Sequence, residues 1–280
     1  MSLRDEAPGK LNLLVAYPYM TKPVVELLVE HKEHIRFLLD SGAFTAWKAG
    51  KSIALDDYCR FVDSMPFEPW RYFTLDVIGD PVASMANYEA MLARGYKPVP
   101  ILTRGEDLAG LDRYYETSDV VGIGGLVGTR GNKGFVNGIM KHVGDRRVHW
   151  LGFTRINYLK HYRPYMCDSS NYSRGQRYGI IDTYAGNGEM IPLTRKVAKR
   201  HLTEALAARV ARYDLDLWSL AQPGAWRKGR VMTELPVWSW VDFSLDAERT
   251  IGTKLFVAVS GLDSIKLVLR AYLGLRGLKP

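Results

Sequence analysis

Cysteine is scarce: Cys59 and Cys167 are the only two in 280 residues. Two thiols cannot build a disulfide framework or a four-ligand zinc site. The six histidines show no metal-ligand spacing. His142, His149, His161 and His201 read as surface or core residues, and no metal is expected. No apolar run approaches the ~20 residues that a membrane span needs. The opening Met1-Ser-Leu-Arg-Asp-Glu lacks the basic-then-apolar layout of a secretory signal. Repeats and low-complexity tracts are missing as well. These shortages lead to the expectation of a soluble, cytoplasmic protein with no membrane partner.

What the chain does have is a core. Its 47% hydrophobic content is ordinary for a globular fold and too high for a disordered one. The length suits one large α/β domain or two small ones. Net charge is +8, unevenly spread. Residues 1–140 carry a balance of −3 and residues 141–280 one of +11. The densest basic stretch holds Arg195, Lys196, Lys199, Arg200, Arg209 and Arg212, followed by Arg227, Lys228 and Arg230. One-sided basicity is the electrostatic mark of a polyanion partner, although a solvated basic surface has the same composition.

Short β-branched and aromatic runs alternate with amphipathic stretches. Strands are predicted at Leu11–Tyr17, Ile35–Leu39, Tyr72–Val77, Pro98–Leu102, Val120–Gly124, Val148–Phe153, Tyr165–Cys167 and Ile180–Thr183. Helices are predicted at Lys22–Glu30, Leu55–Ser64, Pro81–Ala93, Leu108–Thr117, Phe135–Val143 and Ile156–His161. Alternation of this kind implies parallel strands with crossover helices. Eight strands in that arrangement predict an α/β fold: a (β/α)8, TIM-like barrel with a basic helical C-terminal extension. A doubly wound open sheet is the alternative. Residues 1–190 would form the catalytic core. Residues 191–280, basic, helical and aromatic, would complete the barrel and bind nucleic acid. Within that part, 192–222 reads as a long basic helix broken near Asp214–Asp216.

Chemistry in a parallel barrel gathers at the carboxyl ends of the strands. Several predicted strands finish there in a polar residue followed by small ones: Leu39-Asp40-Ser41-Gly42-Ala43-Phe44, Leu75-Asp76-Val77, Leu102-Thr103-Arg104-Gly105, Gly122-Ile123-Gly124-Gly125-Leu126-Val127-Gly128 and Met166-Cys167-Asp168-Ser169-Ser170. Asp40, Asp76 and Asp168 would then converge on one glycine-walled cavity, where burial and mutual repulsion raise pKa values. Taken singly, each reads as a helix cap. The Gly122–Gly128 run is not a dinucleotide fingerprint, because its spacing and its place in the strand order are wrong. Cys59 falls inside a helix and reads as core. Cys167 has no paired histidine in sight and is not expected to be a nucleophile.

The order of these motifs resembles that of the tRNA-guanine transglycosylase superfamily. Asp40-Ser-Gly-Ala-Phe is similar to its Asp-Ser-Gly-Gly-Phe motif. Leu75-Asp76-Val77 resembles its base-reading strand, and Gly124-Gly125-Leu126-Val127-Gly128 its Gly-Gly-Leu-Ala-Val-Gly motif. His149-Trp150-Leu151-Gly152-Phe153 resembles the strand ending Leu-Met-Gly-Val-Gly. Cys167-Asp168 through Arg174-Gly175 resembles the nucleophile segment Asp-Cys-Val-Met-Pro-Thr-Arg. The resemblance spans roughly residues 35–190, and its weight lies in five short motifs in order. The family's zinc subdomain, of three cysteines and a histidine, has no counterpart here, and Ile101-Leu102-Thr103-Arg104 replaces its glutamine-containing strand. Those departures bring the chain nearest to the reduced, phage-type enzymes (DpdA-like) that insert a 7-deazaguanine into DNA.

The resemblance implies base exchange: guanine in DNA leaves and a 7-deazaguanine, such as 7-cyano-7-deazaguanine, replaces it through a covalent glycosyl-aspartate. Asp168 would be the nucleophile and Asp40 the general acid–base. Asp76 would read the base edge, with Ser41 and the Gly124–Gly125 backbone beside it. Phe44, Tyr17 or Tyr172 would stack on the ring. Arg174, Arg177, Arg195, Lys196, Lys199, Arg200, Arg227 and Lys228 would contact nucleic acid, and Trp226, Trp238 or Trp240 would be stacking platforms or core. Expected partners are DNA with a flipped or unpaired guanine and the free base. No cofactor is required. The protein would work in the host cytoplasm if phage-encoded. Homodimerisation stays open, because the tRNA enzymes often dimerise. The alternatives are a tRNA-guanine transglycosylase without the zinc subdomain, and a non-catalytic nucleic-acid-binding paralogue.

Overall fold

A computed structural model describes residues 9–126, 132–196, 198–222, 224, 226 and 229–278. Its centre is an eight-stranded, all-parallel, curled sheet, compatible with a TIM-like α/β fold. In chain order the strands are β1 (Leu11–Ala16), β2 (Ile35–Asp40), β3 (Arg71–Tyr72), β4 (Ile101–Leu102), β5 (Val120–Ile123), β6 (Arg147–Trp150), β7 (Met166–Ser169) and, after the antiparallel hairpin β8 (Ile180–Gly186) and β9 (Glu189–Thr194), β10 (Lys254–Val259). The spatial order of the parallel sheet is β3-β2-β1-β10-β7-β6-β5-β4. Phe73, just past β3, and Val99, just before β4, form one isolated parallel bridge. Thr74 N–H donates to the Val99 carbonyl at 3.0 Å, and Val99 N–H to the Tyr72 carbonyl at 2.8 Å.

Crossovers are helical: α1 (Lys22–Glu30), α2 (Ala43–Lys48) with α3 (Leu55–Ser64), α4 (Pro81–Ala93), α5 (Ala109–Tyr115), α6 (Asn132–Val143) and α7 (Ile156–Tyr162), and a short α8 (Arg174–Tyr178) follows β7. Local sequence sets their starts. Asp56 and Asp57 occupy the first turn of α3, where negative charge suits the dipole. Pro81 opens α4 and Asp80 caps it, accepting from Ala83 N–H at 3.0 Å.

Alternation along each strand sorts the side chains. Leu14, Leu38, Phe73, Val99, Ile101, Val120, Met166 and Phe256 form one buried cluster contributed by the parallel strands and their flanks. Leu13, Phe37, Leu39, Val121, Trp150, Cys167 and Val257, their neighbours in sequence, belong to the larger cluster shared with the helices. Gly122 makes room in the first set. A methyl group there would lie within 3.2–3.3 Å of Ile101, Leu151 and Phe73. Each buried aliphatic or aromatic side chain contributes ~1.5–3 kcal/mol relative to its exposed state.

Three expectations for the C-terminal part need correction. Ile180–Thr183 is a strand, but it pairs antiparallel with β9 in a separate hairpin. The eighth parallel strand is β10, between β1 and β7. Residues 192–222 do not form a long helix. They hold the end of β9, then α9 (Ala198–His201), α10 (Glu204–Ala211) and a 3-10 turn at Leu217–Ala221. Aromatic residues near 237–240 lie in α11 (Arg230–Thr250), which precedes β10, and α12 (Leu262–Leu275) follows it. Trp240 is buried, Trp238 stacks on Tyr213, and Trp226 donates its indole N–H to the Leu220 carbonyl, so these tryptophans serve the core. Among the described residues no helix is long and apolar enough to cross a membrane.

Candidate active site at the carboxyl ends of the strands

β2 ends in Asp40, and the turn that follows is tightly specified. Gly42 adopts φ +76°, and a methyl group on it would sit 2.2 Å from Cδ of Pro18. Only glycine meets both demands at no steric cost. Its N–H donates to Asp40 Oδ2 at 3.1 Å, fixing the carboxylate at the strand end. Ser41, fully buried, donates its hydroxyl to Asp76 Oδ1 at 3.4 Å. Asp76 lies just past the Phe73 bridge, on a loop tied to α4. Asn87 donates to the Leu75 carbonyl at 2.9 Å, and Val77 N–H donates to Ser84 Oγ at 2.8 Å.

Asp168 comes from β7, with Cys167 pointing to the opposite, helix-facing side. Its Oδ1 accepts from Gly152 N–H at 3.0 Å and pairs with His149 Nε2 at 2.9 Å. Oδ2 has no hydrogen-bond partner among the described residues. His149 is fully buried edge-on to Phe73 (centroids 4.9 Å), and its Nδ1 has no partner. The contact with Asp168 Oδ1 places a proton on Nε2 of His149. Next door, Ser169 Oγ accepts from Thr154 Oγ1 and from Asn171 N–H, both at 3.1 Å.

Asp40 feels both of the other aspartates. Asp40 is pushed up to about 7, first by burial and then by the charges of Asp76 and Asp168; the N–H groups of Gly42 and Ser41 partly offset this. Burial raises Asp76 to about 6, with Ser41 opposing and Glu106 adding to the rise. Two carboxylates titrating near neutrality within one group is an arrangement suited to proton transfer. Cys167 is pushed well up by burial and by Asp168, which leaves it a thiol.

The sequence pointed to the three aspartates but not to His149 or Glu106. His149 stands where strand alternation puts it beside Asp168, and a period-of-two count along β6 would have placed it inward. Glu106 Oε1 accepts from both N–H and Oγ1 of Thr103 at 2.6 Å. Of the glycine wall, Gly124 donates to the Leu102 carbonyl at 2.9 Å. Gly125 has φ +68°, with Arg104 Cβ only 2.6 Å from where its own Cβ would be. Val127 and Gly128 lie outside the described residues.

The aromatic candidates separate. Tyr17 packs on Tyr58 and Phe61, Tyr172 is buried, and Phe44 stands exposed on α2. Arg174 is engaged by both oxygens of the buried Asp182, at 3.1 and 3.0 Å. Arg177, Arg195, Lys196 and Arg200 are exposed. Arg227, Lys228 and the side chain of Lys199 lie outside the described residues. Among the described residues no group of three or more His, Cys, Asp or Glu could hold a metal ion. A surface hollow of about 620 Å³ lies beside Tyr17 and α3, and another of about 480 Å³ between α4 and the loop before α5; neither is lined by the three aspartates. No protein-family model matches the chain, and no curated protein or solved structure matches it either.

Proposed function

We propose that this chain is a transglycosylase that exchanges guanine in DNA for a 7-deazaguanine, working at the mouth of a closed (β/α)8 barrel. The observation that carries this reading is the placement of Asp40, Asp76 and Asp168 at or just past strand ends, where burial and the charges of the other two push Asp40 up to about 7. Exchange at C1′ needs a nucleophile that holds the sugar while bases change, and a proton donor that becomes an acceptor.

Asp168 meets the first need, because His149 and Gly152 fix Oδ1 and leave Oδ2 to attack. As Oδ2 bonds to C1′, the C1′–N9 bond breaks and its electron pair stays with guanine, which takes the proton of Asp40. The incoming base returns its N9 proton to Asp40 and attacks C1′, releasing Asp168. No water is consumed and no cofactor is used. Asp76 accepts hydrogen bonds from the guanine N1–H and exocyclic amine, and adenine would leave that carboxylate unpaired. A base within a duplex is out of reach, so the nucleotide is flipped or single-stranded, which costs a few kcal/mol.

The test incubates the protein with DNA and labelled 7-deazaguanine, with tRNA offered in a parallel reaction. Label should enter DNA, an adduct should survive denaturation, and Asp168→Asn, which can still accept from Gly152 N–H and His149 Nε2, should lose both while staying folded. Label in tRNA alone would move the reading to the tRNA enzymes. No label in either polymer would end it.

A further inference from the structure

Helix α2 buries only Ala43 and Ala46 and turns two large rings outward. Phe44 is 57% exposed and Trp47 is 56% exposed. Three residues apart on one helix face, they lie with ring centroids 5.9 Å apart and planes 29° from parallel. Together they form a flat aromatic strip open to water, a surface that asks for a partner.

The charges beside it say which kind. Lys48 Nζ sits 5.7 Å from the centroid of the Phe44 ring, and Lys51 follows on an exposed turn. Neither has an ion pair among the described residues, and residues 41–55 contain no Asp or Glu. A second copy of this chain, docked on the same face, would bring like charges together. A purely apolar protein partner would strand the ammonium groups. Nucleobases stack on exposed rings whatever their sequence, and their phosphates take the lysines. Position agrees as well, because α2 begins three residues after Asp40.

We infer that Phe44 and Trp47 are a stacking platform for unpaired bases flanking the target nucleotide of a single DNA strand, with Lys48 and Lys51 holding its phosphates. This rests on the base-exchange reading for the choice of DNA and for the direction of the strand; the binding itself is separable from the chemistry.

The experiment measures fluorescence anisotropy of a labelled 15-nucleotide deoxythymidine strand, an RNA strand of equal length and a DNA duplex. Wild type should bind the DNA strand most tightly. Phe44→Ala/Trp47→Ala should weaken that binding roughly tenfold or more, while Trp47→Phe, which keeps a ring, stays near wild type. Lys48→Gln/Lys51→Gln should lower the slope of log K against log salt by about 1.4. Equal binding by the double-alanine variant, no binding by wild type, or tighter binding of RNA overturns the inference. So does a double-alanine variant that changes sedimentation but not DNA affinity, since the face would then join two copies. Asp168→Asn, run alongside, separates the two readings. It should bind the strand normally and exchange nothing, and a wild type that binds but never exchanges removes the transglycosylase and keeps the platform.

Discussion

Asp40→Asn should make the protein more stable, and only above acidic pH. The folded state holds the Asp40 proton up to about 7, whereas the unfolded chain releases it near 3.8. Between those values the native state binds a proton that the unfolded state lacks. Stability therefore falls as pH rises through this window and stays depressed above it. At ~1.36 kcal/mol per pKa unit, the displacement of about three units sets an upper limit of about 4 kcal/mol. The carboxylate is partly solvated, and an amide also loses hydration at this site, so the gain should be about 1–2 kcal/mol. For a chain of this size that is roughly 2–4 °C in Tm. Asparagine can still accept the Gly42 N–H, which keeps the turn. Thermal melts from pH 3.5 to pH 8.5 should show the two proteins alike at the acid end, separating from about pH 4 and running parallel above pH 7. A variant that is less stable at pH 8, or a gain that ignores pH, would refute the reasoning.

Exchange activity should follow a bell in pH, falling below about 6 as Asp76 takes up a proton and above about 7 as Asp40 loses its own. Because the groups are coupled, the two limbs belong to the cluster, and Asp76→Asn should remove the acid limb in kcat/KM. Gly42→Ala should cost at least 2 kcal/mol by chemical denaturation, because positive φ and the 2.2 Å approach to Pro18 add up; a cost within 0.5 kcal/mol contradicts the account of this turn. Arg174→Ala should cost about 3 kcal/mol by leaving the buried Asp182 carboxylate without its cation and with only the Trp240 indole N–H, at 3.4 Å, to offset its charge. Arg174→Ala/Asp182→Asn should recover much of that, whereas unchanged stability in Arg174→Ala would contradict a stabilising role for this pair.

The helices were the most legible part of this sequence. α1, α3 and α4 run over the residues that periodicity, Asp80-Pro81 and the acidic first turns indicated. The strands were legible by position but not by extent. β3 and β4 keep only two residues each in regular pairing, because the chain turns out of the sheet toward Asp76 and Thr103. β10 was missed although Leu255-Phe-Val-Ala-Val is the continuous apolar run that a strand covered on both faces requires. Counting Ile180–Thr183 as the eighth strand had already filled its place. Only tertiary pairing separates the two, since β8 pairs locally in a hairpin and β10 lies between two strands far from it in the chain, β1 and β7. Asp40, Asp76 and Asp168 were readable as strand-end acids. The His149 contact was not, because β6 and β7 meet only through their register, His149 opposite Met166.

Placing β10 between β1 and β7 has a consequence for how the molecule is made. Leu14 pairs with Leu38 early, but its other neighbour is Ala258. One edge of the first strand therefore stays bare until β10 has left the ribosome, and such an edge invites pairing with other chains. Removing the stretch from Lys254 onward would cost more than a surface segment. It would leave two open seams beside Asp168 and, with them, a chain prone to aggregate.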